Sequence, residues 1–259
     1  MAVNKKNNKV EILSPPQTVD MADDWYQLAN SDNFWIKSRF RAIASKLTKE
    51  KIDSTLLEIG CGNGVVIKQF EEKFDVLVDG CDLNMFALHQ IEETRGRILC
   101  LDIFDKPKDL LGVYDGIILL DVIEHISDDS AFLETSMKYA KKGGLVIINV
   151  PALNTLFSKY DSIVGHKRRY NKKMISELFA KCNLEEISVS YFGLSLIPIA
   201  IARKLMMNFV REEKAILKGF KPPNSTTNKI LNWILALENK LIKSPSLGTS
   251  IIAIGRVKE

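Results

Sequence analysis

From Thr55 onward, short apolar runs alternate with stretches of helical periodicity. The runs are Thr55–Ile59, Val76–Cys81, Ile98–Leu101, Tyr114–Leu120 and Leu145–Val150. Val65–Lys73, Met85–Thr94 and Ser130–Lys141 carry the helical pattern between them, and Phe104–Gly112 fits neither. A run such as Gly116-Ile117-Ile118-Leu119-Leu120 has no polar side, which suits a strand covered on both faces. The alternation predicts βαβ units and an α/β fold, a doubly wound, mostly parallel sheet. Upstream, Ala22–Leu47 suits one or two helices, with Trp25, Tyr26, Phe34, Trp35, Phe40 and Ile43 as buried or lid-forming positions. Residues 1–21 are polar, contain Pro15-Pro16 and read as a flexible lead-in.

After Val150 the rhythm changes. Residues 151–171 read as a loop, Lys172–Lys181 as a helix, and Ile187, Val189 and Tyr191 as alternate positions of a half-exposed strand. Residues 194–212 and 226–242 suit two helices, the second amphipathic through Ile230, Ile234, Leu237 and Leu241. A basic linker, Lys218–Asn228, joins them, and Ser250–Gly255 reads as a closing strand. This divides the chain into one domain, 22–193 with 247–259, and a helical cap insertion, 194–246. The apolar residues Leu194, Leu196, Ile197, Ile199, Ile201, Leu205, Met206 and Met207 read first as core or a dimer contact. A pocket for a greasy substrate or a membrane contact is the alternative.

With 259 residues, 46% hydrophobic and 26% charged, the chain can bury one large core. Cys61, Cys81, Cys100 and Cys182 lie far apart without a C-x-x-C pair, so neither a zinc site nor a disulfide framework is read, and a cytoplasmic setting is expected. Met1–Val10 has no apolar segment behind it, hence no signal peptide is read. Leu194–Ala202 is far short of the roughly 20 residues a span requires. Charge is uneven: residues 1–150 carry 18 Lys+Arg against 24 Asp+Glu, and residues 151–259 carry 18 against 8. The basic part suits an anionic acceptor or the inner face of a membrane, and a plain solubilising face is the alternative.

The sharpest motif is Leu57-Glu58-Ile59-Gly60-Cys61-Gly62-Asn63-Gly64, where the first strand of the alternating region turns into a helix. Glycines there allow a sharp turn and close backbone approach to a ligand. Their spacing departs from the G-x-G-x-x-G of dinucleotide sites. Acids follow at the ends of successive strands: Asp82, Asp102 in Leu101-Asp102-Ile103, and Asp121 after Leu120. Open α/β sheets bind ligands at that edge. The loop resembles motif I of the class I S-adenosylmethionine-dependent methyltransferases, and the likeness covers about residues 25–192. It is nearest the group containing ubiquinone-biosynthesis and small-molecule enzymes. The resemblance implies a seven-stranded sheet with its last strand antiparallel, and S-adenosyl-L-methionine as cofactor. It also implies that Glu58 braces the loop, Gly60, Cys61, Gly62 and Gly64 pass along the methionine and ribose, and Asp82 with Leu83 holds the ribose. Asp102 and Ile103 would meet adenine, and Leu120 and Asp121 the methionine end.

For chemistry, His125 follows the strand ending at Leu120 and is the first candidate base. The segment Gly165-His166-Lys167-Arg168-Arg169-Tyr170 is the second, with His166 and Tyr170 as catalytic candidates and its cations suited to phosphate or carboxylate. A G-H-x-R-R-Y stretch is similar to one in a set of bacterial methyltransferases linked to glycan or lipid-linked intermediates. The expectation is therefore O-methylation of a small or lipid/glycan-linked acceptor. N- or C-methylation, and a binding protein without turnover, are the alternatives. No nucleic-acid acceptor is expected, for lack of an N-P-P-Y-like tetrapeptide or a base-stacking strand. No metal set is read, since Glu124 and His125 alone offer two ligands.

Overall fold

The computed structural model describes residues 9–17, 32–47, 55–207 and 223–258. Eight strands form one sheet: β1 (Val10–Ile12), β2 (Thr55–Ile59), β3 (Leu77–Asp82), β4 (Ile98–Cys100), β5 (Tyr114–Leu120), β6 (Ala140–Pro151), β7 (Leu184–Phe192) and β8 (Ser250–Val257). Their order is β1-β4-β3-β2-β5-β6-β8-β7. All neighbours run parallel except β8, which is antiparallel to both β6 and β7. The count exceeds the expected seven because Val10–Ile12, inside the stretch read as a lead-in, pairs with Ile98–Cys100 at the edge. The N–H groups of Leu13 and Ser14 continue that contact onto the Cys100 carbonyl.

Eight α-helices accompany these strands among the described residues: α1 (Phe34–Leu47), α2 (Val65–Phe74), α3 (Met85–Leu88), α4 (Asp129–Met137), α5 (Lys159–Ile163), α6 (Lys172–Lys181), α7 (Ile197–Met207) and α8 (Ser225–Leu241). Strand alternation sorts the core onto two sides of the sheet. Leu57, Ile117, Leu119, Val146 and Ile148 pack into one cluster. Leu56, Ile118, Leu120, Leu145 and Ile147 pack into the other. All of these residues are buried. The continuous apolar runs thus reflect a sheet with two covered faces.

Two predicted helices are shorter than their patterns. The helix expected over Met85–Thr94 stops at Leu88. The chain must then pass tightly by β3, where a Cβ on Gly96 would come within 2.0 Å of the Val78 carbonyl oxygen. The helix expected to reach Lys141 ends at Met137, and β6 begins at Ala140. Buried Tyr139 fixes that junction by donating its hydroxyl to the Ile103 carbonyl at 2.8 Å. Phe104–Gly112, unassigned by pattern, holds parts of two 3₁₀ turns, Ile103–Asp105 and Lys108–Leu110. Trp25, Tyr26 and residues 208–212 fall outside the described residues.

Between β7 and β8 the chain leaves the sheet to form α7 and α8. Helix α8 begins at Ser225, inside the expected linker, because Asn224 caps it by accepting from the Thr227 N–H at 2.8 Å. It lies on α1, where Asn228 accepts from the Phe34 N–H at 2.8 Å and the Ser38 hydroxyl donates to Asn232 at 3.2 Å. The buried Glu238 carboxylate receives the N–H groups of Gly193, Leu194 and Ser195, which locks α8 onto the turn after β7. Of the apolar stripe read as core, Leu196 and Met207 are buried, whereas Ile199, Ile201, Leu205 and Met206 are exposed.

Candidate functional site

The strand order reverses between β2 and β5, which leaves a crevice at their carboxyl ends. The loop after β2 enters it with three glycines at positive φ: Gly60 at 74°, Gly62 at 52° and Gly64 at 74°. A side chain at Gly60 would also collide with Val122, its Cβ lying 2.7 Å from Cγ2. Asp82, at the end of β3, accepts from the Gly62 N–H at 3.0 Å and the Asn84 N–H at 2.9 Å. Burial raises its carboxyl and these N–H donors oppose the rise.

A cavity of about 430 Å³ opens on this loop. Glu58, Gly60, Cys61, Gly62, Asp82, Leu83, Asp102, Ile103, Leu120, Asp121 and His125, read from the sequence as site residues, all line it. Gly64 stands behind the wall as the N-cap of α2. Sequence reading missed Arg39 and Ile36, which α1 brings to the same cavity. Arg39 pairs with Asp121, whose other oxygen accepts from Asn149 Nδ2 at 2.6 Å. Asp121 itself has φ 58°, left-handed backbone for a residue with a side chain. Nothing in the local pattern of α1 reveals a buried cation at position 39.

Glu58 is buried and its Oε2 has no hydrogen-bond partner. Burial pushes its carboxyl up to about 8 from an ordinary value near 4.5, against the pull of Arg39. Between those pH values the folded chain holds a proton that the unfolded chain has released. Stability therefore falls as pH rises through the window, by up to about 1.4 kcal/mol per pH unit. Glu58→Gln is expected to abolish that slope. The check is thermal unfolding of both proteins without cofactor across the window, with the variant's advantage widening as pH rises.

Beyond His125 lies a second group of side chains. The His166 ring meets His125 edge to face, with centroids 4.8 Å apart. His166 Nδ1 is 3.0 Å from Asp161 Oδ1, and its Nε2 is 3.9 Å from Glu124 Oε1. Burial would raise the Asp161 carboxyl, but His166 and Arg169 hold it well below the usual carboxylate range. Glu124 is fully buried and neither carboxylate oxygen has a hydrogen-bond partner. Burial, then the Asp121 charge, raises it well above the ordinary range. Glu124, His125 and His166 can each turn a ligating atom to one point, since these atoms lie within 4.8 Å of one another. The sequence presented two of these ligands, and the fold supplies the third.

Tyr170 lies elsewhere. It is buried, donates to Asp129 Oδ2 at 2.8 Å, and does not line the cavity. Its cationic neighbours are already engaged, Arg168 with Asp129 at 2.7 Å and Arg169 with Asp161 at 2.7 Å. The basic loop thus packs against the protein's own acids. All four cysteines are buried free thiols.

The sequence profile of the methyltransferase domain matches residues 33–189, which hold the loop, the acids and both histidines. The chain belongs to the S-adenosylmethionine-dependent methyltransferases. It is 33% identical over 105 residues to the ubiquinone biosynthesis O-methyltransferase of Caulobacter vibrioides, a match covering 36% of this chain and 39% of that protein. Its fold is similar to phosphoethanolamine N-methyltransferase 2 of Haemonchus contortus, solved with S-adenosyl-L-methionine. The TM-score is 0.59 at 19% identity, over 92% of this chain and 58% of that one. A methyltransferase from Archaeoglobus fulgidus superposes with a TM-score of 0.50 at 17% identity, covering 86% and 97% of the two chains. This chain therefore spans well under two thirds of the Caulobacter and Haemonchus proteins. The methyltransferase cofactor, S-adenosylmethionine, suits the cavity: a cationic ligand rich in N–H and O–H donors meets four carboxyl groups, one with an unpartnered buried oxygen.

Proposed function

We propose that this chain methylates a hydroxyl oxygen on a small or lipid/glycan-linked acceptor. The observation carrying this reading is His125 on the cavity wall, backed by the His166 ring and the Asp161 carboxylate behind it. When bound, S-adenosylmethionine supplies an electrophilic methyl group on a sulfonium. The remaining tasks fall to side chains. Asp82 and Glu58 hold and orient the cofactor, and Ile36, Leu120, Ile126 and Phe132 wall the cavity against water. His125 takes the proton that the acceptor hydroxyl gives up. Asp161 orients His166, which packs on His125. Partial identity to an O-methyltransferase supports the choice of oxygen.

The test is transfer of an isotopically labelled methyl group to phenols, sugars and polyprenyl-linked glycans, with mass spectrometry of the product. An ether product supports the reading. Label on nitrogen or carbon overturns O-methylation while leaving methyl transfer intact. Cofactor binding without transfer to any acceptor class favours a protein that binds without turnover.

A second reading rests on the two unpartnered oxygens of Glu124. With His125 and His166 they form a three-ligand set for a divalent cation that would bind and acidify the acceptor hydroxyl. The Asp161–His166 contact has the form of a carboxylate orienting a metal-bound imidazole. Under this reading, exhaustive chelation lowers turnover at least about tenfold, and Mg²⁺, Mn²⁺ or Zn²⁺ restores it. Unchanged turnover after chelation leaves His125 acting as the base alone.

A further inference from the structure

We infer that the cap formed by α7 and α8 docks the protein on an anionic lipid surface. Helix α8 carries apolar residues on two sides. Leu231 and Leu235 face the protein, Leu235 fully buried. Ile230, Trp233, Leu237 and Leu241 recur at spacings of three and four, which places them on one face. That face is turned to solvent, with Trp233 66% and Leu241 69% exposed. A helix packed on one side of a core needs a single apolar stripe, and the outer one is left without a partner among the described residues. Helix α7 adds exposed Ile199, Ile201, Leu205 and Met206, and both helices pack on the turn Leu194–Leu196.

Charge decides what covers this surface. Among the described cap residues, Glu238 is the single acid, and it is buried under the N–H groups of residues 193–195. The exposed charges are Lys229, Lys240 and Lys243. Lys229 and Lys240 each stand one position before a stripe residue, about 100° round the helix, and so border the apolar face. An outward apolar stripe with an exposed Trp, bordered by Lys229 and Lys240, matches an interfacial helix lying among anionic headgroups. No helix among the described residues is long and apolar enough to cross a membrane, so the contact is peripheral. The site opens close by, since α8 packs on α1, which contributes Ile36 and Arg39 to the cavity. An acceptor held in the bilayer would meet the enzyme from that side. The inference stands apart from which atom is methylated.

The experiment is flotation of the full chain with phosphatidylcholine vesicles and with vesicles containing about a quarter phosphatidylglycerol, at low and high salt. Binding to the anionic vesicles is expected, weakened by salt. Lys229→Gln and Lys240→Gln should each reduce the partition coefficient about fivefold. Trp233→Ser with Leu241→Ser should reduce it at least tenfold, on the order expected for losing two inserted apolar side chains. All these positions are exposed, and calorimetric binding of S-adenosylhomocysteine certifies that each variant is folded. Absence of vesicle binding by the folded wild type overturns the inference, as does equal binding by all variants. Sedimentation of a dimer that Trp233→Ser dissociates would assign the face to a second copy and overturn it as well.

Discussion

Asp82→Ala is expected to weaken binding of S-adenosylhomocysteine by about 100-fold or more, measured by titration calorimetry. The carboxylate has two roles at once. It lines the cavity, and its oxygens already receive the N–H groups of Gly62 and Asn84. Removing this half-buried carboxylate takes away the acceptor proposed for the bound ligand's hydroxyls, and truncating a buried charged hydrogen-bond partner costs about 2–5 kcal/mol. It also frees the Gly62 amide, in a loop whose glycines sit at positive φ and whose other ties to β3 are the Gly60 and Cys61 N–H groups on the Cys81 carbonyl. Asp82→Asn keeps the shape and one acceptor oxygen, so a loss nearer tenfold is expected. Wild-type affinity in both folded variants would remove Asp82 from the cofactor site.

His125→Ala is expected to lower kcat by about 10²–10⁴ once an acceptor is in hand, with affinity for S-adenosylhomocysteine nearly unchanged. That split is the informative part. His125 lines the cavity with its ring against His166, whereas Asp82 is tied to the glycine loop. A residue that merely packed beneath the cofactor would lose affinity together with rate. The comparison with Glu124→Gln separates the two readings of the cluster. If His125 works alone, the Gln variant keeps most turnover, because the amide replaces a carboxyl that has no hydrogen-bond partner and does not line the cavity. If a cation is held there, Glu124→Gln falls with His125→Ala and the chelated enzyme alike.

The glycine loop and the acids that line the cavity were legible because their signals are local. A glycine that must take positive φ, and an acid that must end a strand, are each written at a single position; here Gly60, Gly62, Asp82 and Asp121 stand where strand ends gather. The partners across the cavity were not legible. Arg39 reaches Asp121 from a helix 82 positions earlier, and no periodicity in α1 separates that arginine from Arg41 or Lys37. His166 joins Glu124 only because the loop 152–169 folds back over the end of β5, with the Lys167 N–H on the Glu124 carbonyl at 2.7 Å. The edge strand Val10–Ile12 escaped because three residues between polar stretches carry too little pattern to register. Tyr170 shows the opposite failure: a polar residue beside cations invited a catalytic role, whereas Asp129 already holds its hydroxyl.

Strands β7 and β8 are direct antiparallel neighbours, with Phe192 opposite Ser250. Everything between them, α7 and α8 included, is therefore an excursion from a hairpin whose two feet are already side by side. Such an excursion can be exchanged as a unit, since a replacement segment need only start and finish at those feet and cover α1 and α5. The glycine loop, the strand-end acids and the histidine cluster all lie outside it. Sequence change can thus accumulate in the excursion while the glycine loop and strand-end acids stay fixed, and chimeras joined at 193 and 249 are the natural units for exchanging it.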